Sequence, residues 1–142
     1  MITKKKKKMN IGPADPQDES DIIHLLKQDN NVHIFDYYCK DALDKGAFHV
    51  GKENGVIQCF IVFNFDDDND YYIKQIYVGS PFQRQGRGTQ LVEYAHEYLR
   101  QRGIHYVELV SVNSADPFWE EMGYTYHQTK HIFQCKLNSN KD

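Results

Sequence analysis

Between residues 47 and 103 the spacing of apolar residues changes its period once. Residues 47 to 53 (AFHVGKE), 56 to 65 (VIQCFIVFNF) and 71 to 78 (YYIKQIYV) carry strand patterns, whereas GRGTQLVEYAHEYLRQRG sets Leu91, Ala95, Tyr98 and Leu99 at helical spacing with Gly103 as its stop. Asn54-Gly55 is a hairpin signal between the first two strands, and DDDND at 66 to 70 joins the next two, so the three form an antiparallel meander. The acidic run lacks the glycine punctuation of a calcium loop and reads as a solvated turn. A chain with this pattern must lay a helix against a sheet.

The flanking segments extend the plan. ADPQDESDIIHLLKQ has a helix-start signature, with Asp15 as cap, Pro16 at the first helical position, Asp18 in the first turn and an apolar face of Ile22, Ile23, Leu25 and Leu26. NNVHIFDYYCKDALDKG reads as a loop and a short helix ending at Gly46. HYVELVSV is a further strand, SADPFWEEM a short helix, and YTYHQTKHIFQCKL a closing strand or strand pair. The expectation is an α/β (α+β) fold in one domain over 10–142, with a mixed, mostly antiparallel central sheet of about six to seven strands flanked by about four helices.

Length and composition limit the functional classes. The chain has 142 residues, 40% of them hydrophobic, which suits one core. No stretch approaches the ~18 apolar residues of a membrane span, and the lysine run near the start has no apolar stretch behind it, so a cytoplasmic protein without a membrane partner is expected. Cys39, Cys59 and Cys135 lack paired spacing and read as reduced thiols. Lys4 to Lys8 read as a solvated tail, in preference to a nucleic-acid or membrane tether, within a segment 1–9 expected to be disordered, and Met9 is a candidate natural start. Removing those five charges from the formal net charge of -3 leaves -8 on the remainder, which weighs against nucleic acid and suits a cationic substrate. His127 and His131, on one predicted strand, lie ~13 Å apart, and the other five histidines are scattered, so no metal is expected.

The junction between strand and helix reads QRQGRG, residues 83 to 88. Glycines there let the backbone approach a ligand, the first helical turn leaves N–H groups without intrahelical partners, and Arg84 and Arg87 add positive charge. Phosphate is the natural ligand, two neighbouring phosphates better than one. The chain lacks the phosphate loop of nucleotide-triphosphate enzymes and the third glycine of a dinucleotide fingerprint.

The wider context resembles the GNAT superfamily of N-acetyltransferases. Its acyl-CoA segment has Gln/Arg-x-x-Gly-x-Gly/Ala after a strand ending near Val-x-x-Pro, and Gln83, Gly86, Gly88, Val78 and Pro81 fit it. NSADPFWEEMGY resembles a second family signature through Asn113, Ala115, Phe118, Gly123 and Tyr124. The likeness runs from about Asn10 to Leu137.

The resemblance implies direct acetyl transfer from acetyl-CoA to a primary amine of a small molecule or peptide. Pyrophosphate would rest on Arg84, Gln85, Gly86, Arg87, Gly88 and Thr89; the pantetheine arm would pair with the backbone of Ile76, Tyr77 and Val78 and meet Asn113; Phe118 and Trp119 would cover the sulfur. His33, Tyr37 and Tyr38 fall in the region that walls the acceptor in relatives, although the tyrosines could equally be core.

Two departures from the pattern bear on catalysis. Trp119 stands where much of the family has an acidic tyrosine, leaving Tyr124, with Tyr126 beside it, or solvent to protonate the thiolate. Tyr72 stands near the place of a family glutamate base, and Glu108 on the following strand is the substitute carboxylate, with a water relay or an ordinary surface glutamate as the other readings. An acyl-CoA-binding module with weak or lost catalysis and a toxin-like enzyme acting on aminoacyl-tRNA stay open as alternatives, and relatives are often homodimers.

Overall fold

The computed structural model describes residues 9–65, 72–110, 115–129 and 131–137. In chain order the elements are β1 (Asn10–Pro13), α1 (Glu19–Gln28), α2 (Tyr37–Asp44), β2 (Phe48–Glu53), β3 (Val56–Phe63), β4 (Ile73–Val78), α3 (Arg87–Gln101), β5 (Tyr106–Leu109), α4 (Asp116–Glu121), β6 (Thr125–His127) and β7 (Ile132–Lys136). One antiparallel ladder has the order β1-β2-β3-β4 and the other β5-β7-β6. β4 and β5 approach each other but belong to separate ladders, so the central sheet parts between them.

The local signals act as the residue types require. Asp15 caps the first turn by accepting from the Gln17 N–H at 2.8 Å while Asp18 accepts from the Asp15 N–H at 3.0 Å, a reciprocal capping box. That turn, Pro16–Asp18, is a 3₁₀ turn leading into α1. Asp36 caps α2 by accepting from the Cys39 N–H at 3.0 Å, and Gly46 ends it at φ 76°. Asn54 and Gly55 both have positive φ, 55° and 78°, as the tight turn between β2 and β3 demands.

Every residue of β3 from Ile57 to Phe63 is buried, which requires cover on both faces of the sheet. Phe48 meets Phe35 and Phe60, with ring centroids 5.9 and 4.7 Å away, on the side of α1 and α2. Its neighbour His49 points the other way, into Tyr94 and Tyr98 of α3 at 5.6 and 4.8 Å. Leu91, Val92, Ala95 and Leu99 form the buried stripe of α3.

Two features depart from the sequence reading. β1 precedes α1, where a helical start was expected: NIGP has one large apolar residue plus Gly and Pro, yet it pairs as an edge strand, Asn10↔Lys52 to Pro13↔His49. His127 and His131 are not strung along one strand; the chain turns back, and the His131 N–H donates to the His127 carbonyl at 2.8 Å. The acidic run at 66 to 70 lies outside the described residues. Cys39 and Cys59 are buried thiols whose pKa burial pushes up to about 12, and Cys135 is half-buried. Among the described residues no helix is long and apolar enough to cross a membrane.

Two imidazoles sit in the core. His49 Nδ1 lies 2.7 Å from the Tyr94 hydroxyl and His96 Nε2 lies 2.8 Å from the Tyr124 hydroxyl, and burial lowers the pKa of both to about 4. The unfolded value is about 6.5, so below that pH the unfolded chain binds more protons than the folded one. Stability should therefore be full above about pH 7 and fall as the pH drops from 6.5 towards 4. Urea midpoints at pH 7.5, 6 and 5 measure this; equal midpoints would contradict the neutral, buried state of these rings.

Candidate active site

The strand-to-helix turn is shaped by two left-handed residues, Arg84 at φ 63° and Gly86 at φ 78°. Gly86 is the N-cap residue of α3, and no side chain caps that helix end. An open depression of about 270 Å³ lies in front of it, and Val78, Gln83, Arg84, Gly86, Arg87, Gly88, Thr89 and Phe118 all line it. Phe82, which sequence reasoning missed, lines it too. Gln85 does not; its amide donates to the Pro81 carbonyl at 3.3 Å. The Gln83 amide donates to the Val78 carbonyl at 3.0 Å and so ties the turn to the end of β4. A Cβ on Gly88 would stand 3.3 Å from Phe118 Cε1, so the glycine lets the α4 ring sit on the first turn of α3.

The two arginines of the motif part ways. Arg84 is exposed, whereas Arg87 is 7% exposed and its guanidinium is ion-paired with Glu53 at the end of β2. The charge assigned to Arg87 is thus turned inward, because a guanidinium at that buried depth requires a counter-charge. Only its backbone N–H remains at the helix end. Glu53 carries no local signal of this role, since it lies 34 positions away.

Beyond Val78 the gap between β4 and β5 forms a second depression of about 140 Å³, lined by Ile73, Lys74, Gln75, Ile76, Leu109, Val110, Ala115 and Trp119. Trp119 is buried, edge-on to both Phe118 and Tyr124 with centroids 5.1 Å away, so it is core and cleft wall together. The Tyr77 side chain takes no part in the cleft. Its hydroxyl donates to Asp29 and accepts from Asn31 Nδ2 at 3.2 Å, and burial raises its pKa. Asp29 also accepts from the Ser80 N–H at 3.1 Å and the Ser80 hydroxyl at 2.5 Å. Hydrogen bonds from Ser80 and then Tyr77 hold its carboxyl below the usual carboxylate range.

The residues picked out for proton transfer do not meet in this cleft. Tyr124 is buried against His96, and burial raises its hydroxyl pKa steeply, so it is a core hydrogen-bonding group and no ready acid. Glu108 accepts from Tyr106 at 3.3 Å and Gln134 at 3.1 Å and does not line the cleft, because the strand alternation that buries Val107 and Leu109 turns it outward. Tyr72 is half-buried, and its carbonyl accepts from the Asn64 N–H at 2.9 Å. Tyr126, exposed, bonds to His131 Nδ1 at 3.0 Å. Tyr37 is 91% exposed and His33 is exposed, while Tyr38 stacks on Phe65 at 4.6 Å and donates to Asn64 at 2.9 Å. Asn113 lies outside the described residues. Among the described residues no group of three or more His, Cys, Asp or Glu side chains could hold a metal ion.

A family model described as the acetyltransferase (GNAT) family matches residues 17–124. The chain belongs to this family. Its fold is similar to that of part of N-acetylglutamate synthase from Neisseria gonorrhoeae, solved with coenzyme A and N-acetyl-glutamate: TM-score 0.75, 18% identity, covering 94% of this chain and 36% of that one. The chain thus spans about a third of the synthase. A putative N-acetyltransferase from Lactobacillus plantarum (TM-score 0.73, 18% identity, 93% and 100% covered) and the PaiA N-acetyltransferase of Thermoplasma acidophilum, solved with coenzyme A (0.69, 12%, 92% and 99%), are similar to this chain in fold over their whole length. No curated protein sequence matches the chain.

The inward turn of Arg87 makes the two arginines separable. Arg87→Ala, which removes the counter-charge of Glu53, should lower the unfolding free energy by about 3 kcal/mol, whereas Arg84→Ala should stay within about 0.5 kcal/mol of the parent. Denaturant unfolding measures both, and equal effects would contradict the pairing.

Proposed function

We propose that the protein is an acetyl-CoA-dependent N-acetyltransferase that passes the acetyl group to a primary amine in a ternary complex. One observation carries this: the depression at the glycine turn and the cleft between β4 and β5 follow one another along β4 and α4, the first lined by Val78 and Phe118 and the second by Ile76 and Trp119. A long molecule with phosphate at one end and a reactive thioester at the other suits that path. The complexes of two proteins of similar fold with coenzyme A support the same reading.

In this mechanism the N–H groups of residues 84 to 89 hold the pyrophosphate at the positive end of α3, and Arg84 adds a mobile charge. The Arg87 side chain contributes rigidity through Glu53. The open edge of β4 at Ile76, Tyr77 and Val78 takes the pantetheine arm as an added strand, and one of its N–H groups faces the oxygen on which negative charge develops. Asn113 is assigned to the pantetheine amides on its motif alone. The amine lone pair attacks the thioester carbon, the C–S bond breaks, and CoA leaves as a thiolate. With a thiol pKa of about 8.5, that leaving group departs without an acid. Tyr124 and Glu108 stand away from the cleft, so water carries the ammonium proton to solvent.

A second reading, an acyl-CoA-binding module with weak catalysis, is favoured by one observation: among the described residues lining the cleft none is a carboxylate, imidazole or phenol. Calorimetry with acetyl-CoA, together with thiol release across a panel of amines, separates the two. Binding with turnover is expected; binding without turnover on any amine would leave the module, and no binding would overturn both. Arg84→Glu should weaken acetyl-CoA at least about tenfold with thermal stability unchanged, and undiminished affinity would refute the phosphate cradle.

A further inference from the structure

The ladder between β3 and β4 slips by one residue: Val62 pairs with Gln75 and Phe63 with Ile73, which leaves Lys74 as the extra residue on β4. Such a bulge re-aims a side chain, and Lys74 lines the cleft between β4 and β5 together with Ile76 and Trp119. Its ammonium lies 5.3 Å from the centroid of the Tyr38 ring. That ring is itself fixed, since Tyr38 stacks on Phe65 at 4.6 Å, donates to Asn64 at 2.9 Å and accepts from the Phe65 N–H at 3.3 Å. A lysine held this way meets a ligand with less loss of rotamer freedom than one on an open surface.

We propose that Lys74 is the specificity-determining residue of the acceptor site, holding a carboxylate that neighbours the reacting amine, so that the acceptor is an amino-acid-like molecule. This rests on the reading of the cleft as the site of acyl transfer. With the thioester beside Ile76, Lys74 lies two residues back along β4, about 6 to 7 Å, and its four-carbon stem spans that gap. A molecule whose amine and carboxylate share one carbon can then present the amine to the thioester and the carboxylate to the ammonium at once. The rest of the described cleft lining is Gln75 and apolar side chains, so Lys74 supplies its charge. A diamine would instead bring its second cation against Lys74. The acidic balance of the remaining chain, which alone suits a cationic acceptor, acts over distances that salt screens beyond about 8 Å, while Lys74 acts at contact.

The test uses matched acceptors with the full-length protein: phenylalanine, phenylalaninamide and phenethylamine, and lysine, lysinamide and cadaverine, followed by thiol release. The free acids should be turned over at least about tenfold better in kcat/KM than the amides and amines. Lys74→Gln should raise KM for the acids about tenfold, and Lys74→Glu should move the preference to the amides and amines. Calorimetry should give all three proteins the same acetyl-CoA affinity, which also reports that the variants fold. Amides or amines used as well as the acids, a preference unmoved by either substitution, or no turnover of any acid by a protein that binds acetyl-CoA would each overturn the assignment. Failure of the parent protein to bind acetyl-CoA would instead remove the transferase reading on which it rests.

Discussion

The failure of β4 and β5 to close into one ladder is the constraint on which the rest depends. β4 is satisfied on one edge by β3 and β5 by β7, and Trp119, braced edge-on by Phe118 and Tyr124, stands in the wall of the gap between them. An open strand edge is ordinarily a liability, because its N–H and C=O groups template unwanted pairing. Here it is short, shares its cleft with Trp119 of α4, and runs into the turn that starts α3. Gly79 makes that turn compact: a Cβ there would stand 2.5 Å from Leu25 Cδ1, so the chain leaves β4 directly under α1.

Charge is arranged along the path with the same economy. Beneath the helix end, Glu53 and Arg87 neutralise each other, so the positive potential in front of α3 comes from backbone N–H groups and exposed Arg84. A bare glutamate in that place would oppose any anion, and a bare arginine would be a buried charge. At the far end Lys74 is offset onto the cleft by the slip in β4.

What could be read from the sequence was what short-range chemistry dictates. Asn54-Gly55, the Asp15 cap, the stripe of α3 and the glycine at 86 each act through their own backbone or their nearest neighbours, and each stands where its pattern puts it. β1 escaped notice because an edge strand needs no apolar alternation. The direction of Arg87, the outward turn of Glu108 and the pairing of Tyr124 with His96 depend on partners 34, 26 and 28 positions away, and no local pattern encodes which face a side chain will find covered. The slip that offsets Lys74 is of the same kind, since it exists only as a relation between β3 and β4.

The hydrogen bonds of Asp29 join three pieces of chain: the end of α1, the hydroxyl of Tyr77 on β4, and Ser80 at the start of the following turn. Asn31 adds a second tether to Tyr77. The segment leading to α2 is therefore registered to the strand edge as one rigid jaw. Under the proposed function, a swing of this wall to admit a bulkier acceptor would drag β4 and the start of the phosphate turn with it. Changes of acceptor in such a scaffold must then come from exchanging side chains at fixed backbone positions, so that substrate range and cofactor geometry can drift independently only while this carboxylate holds.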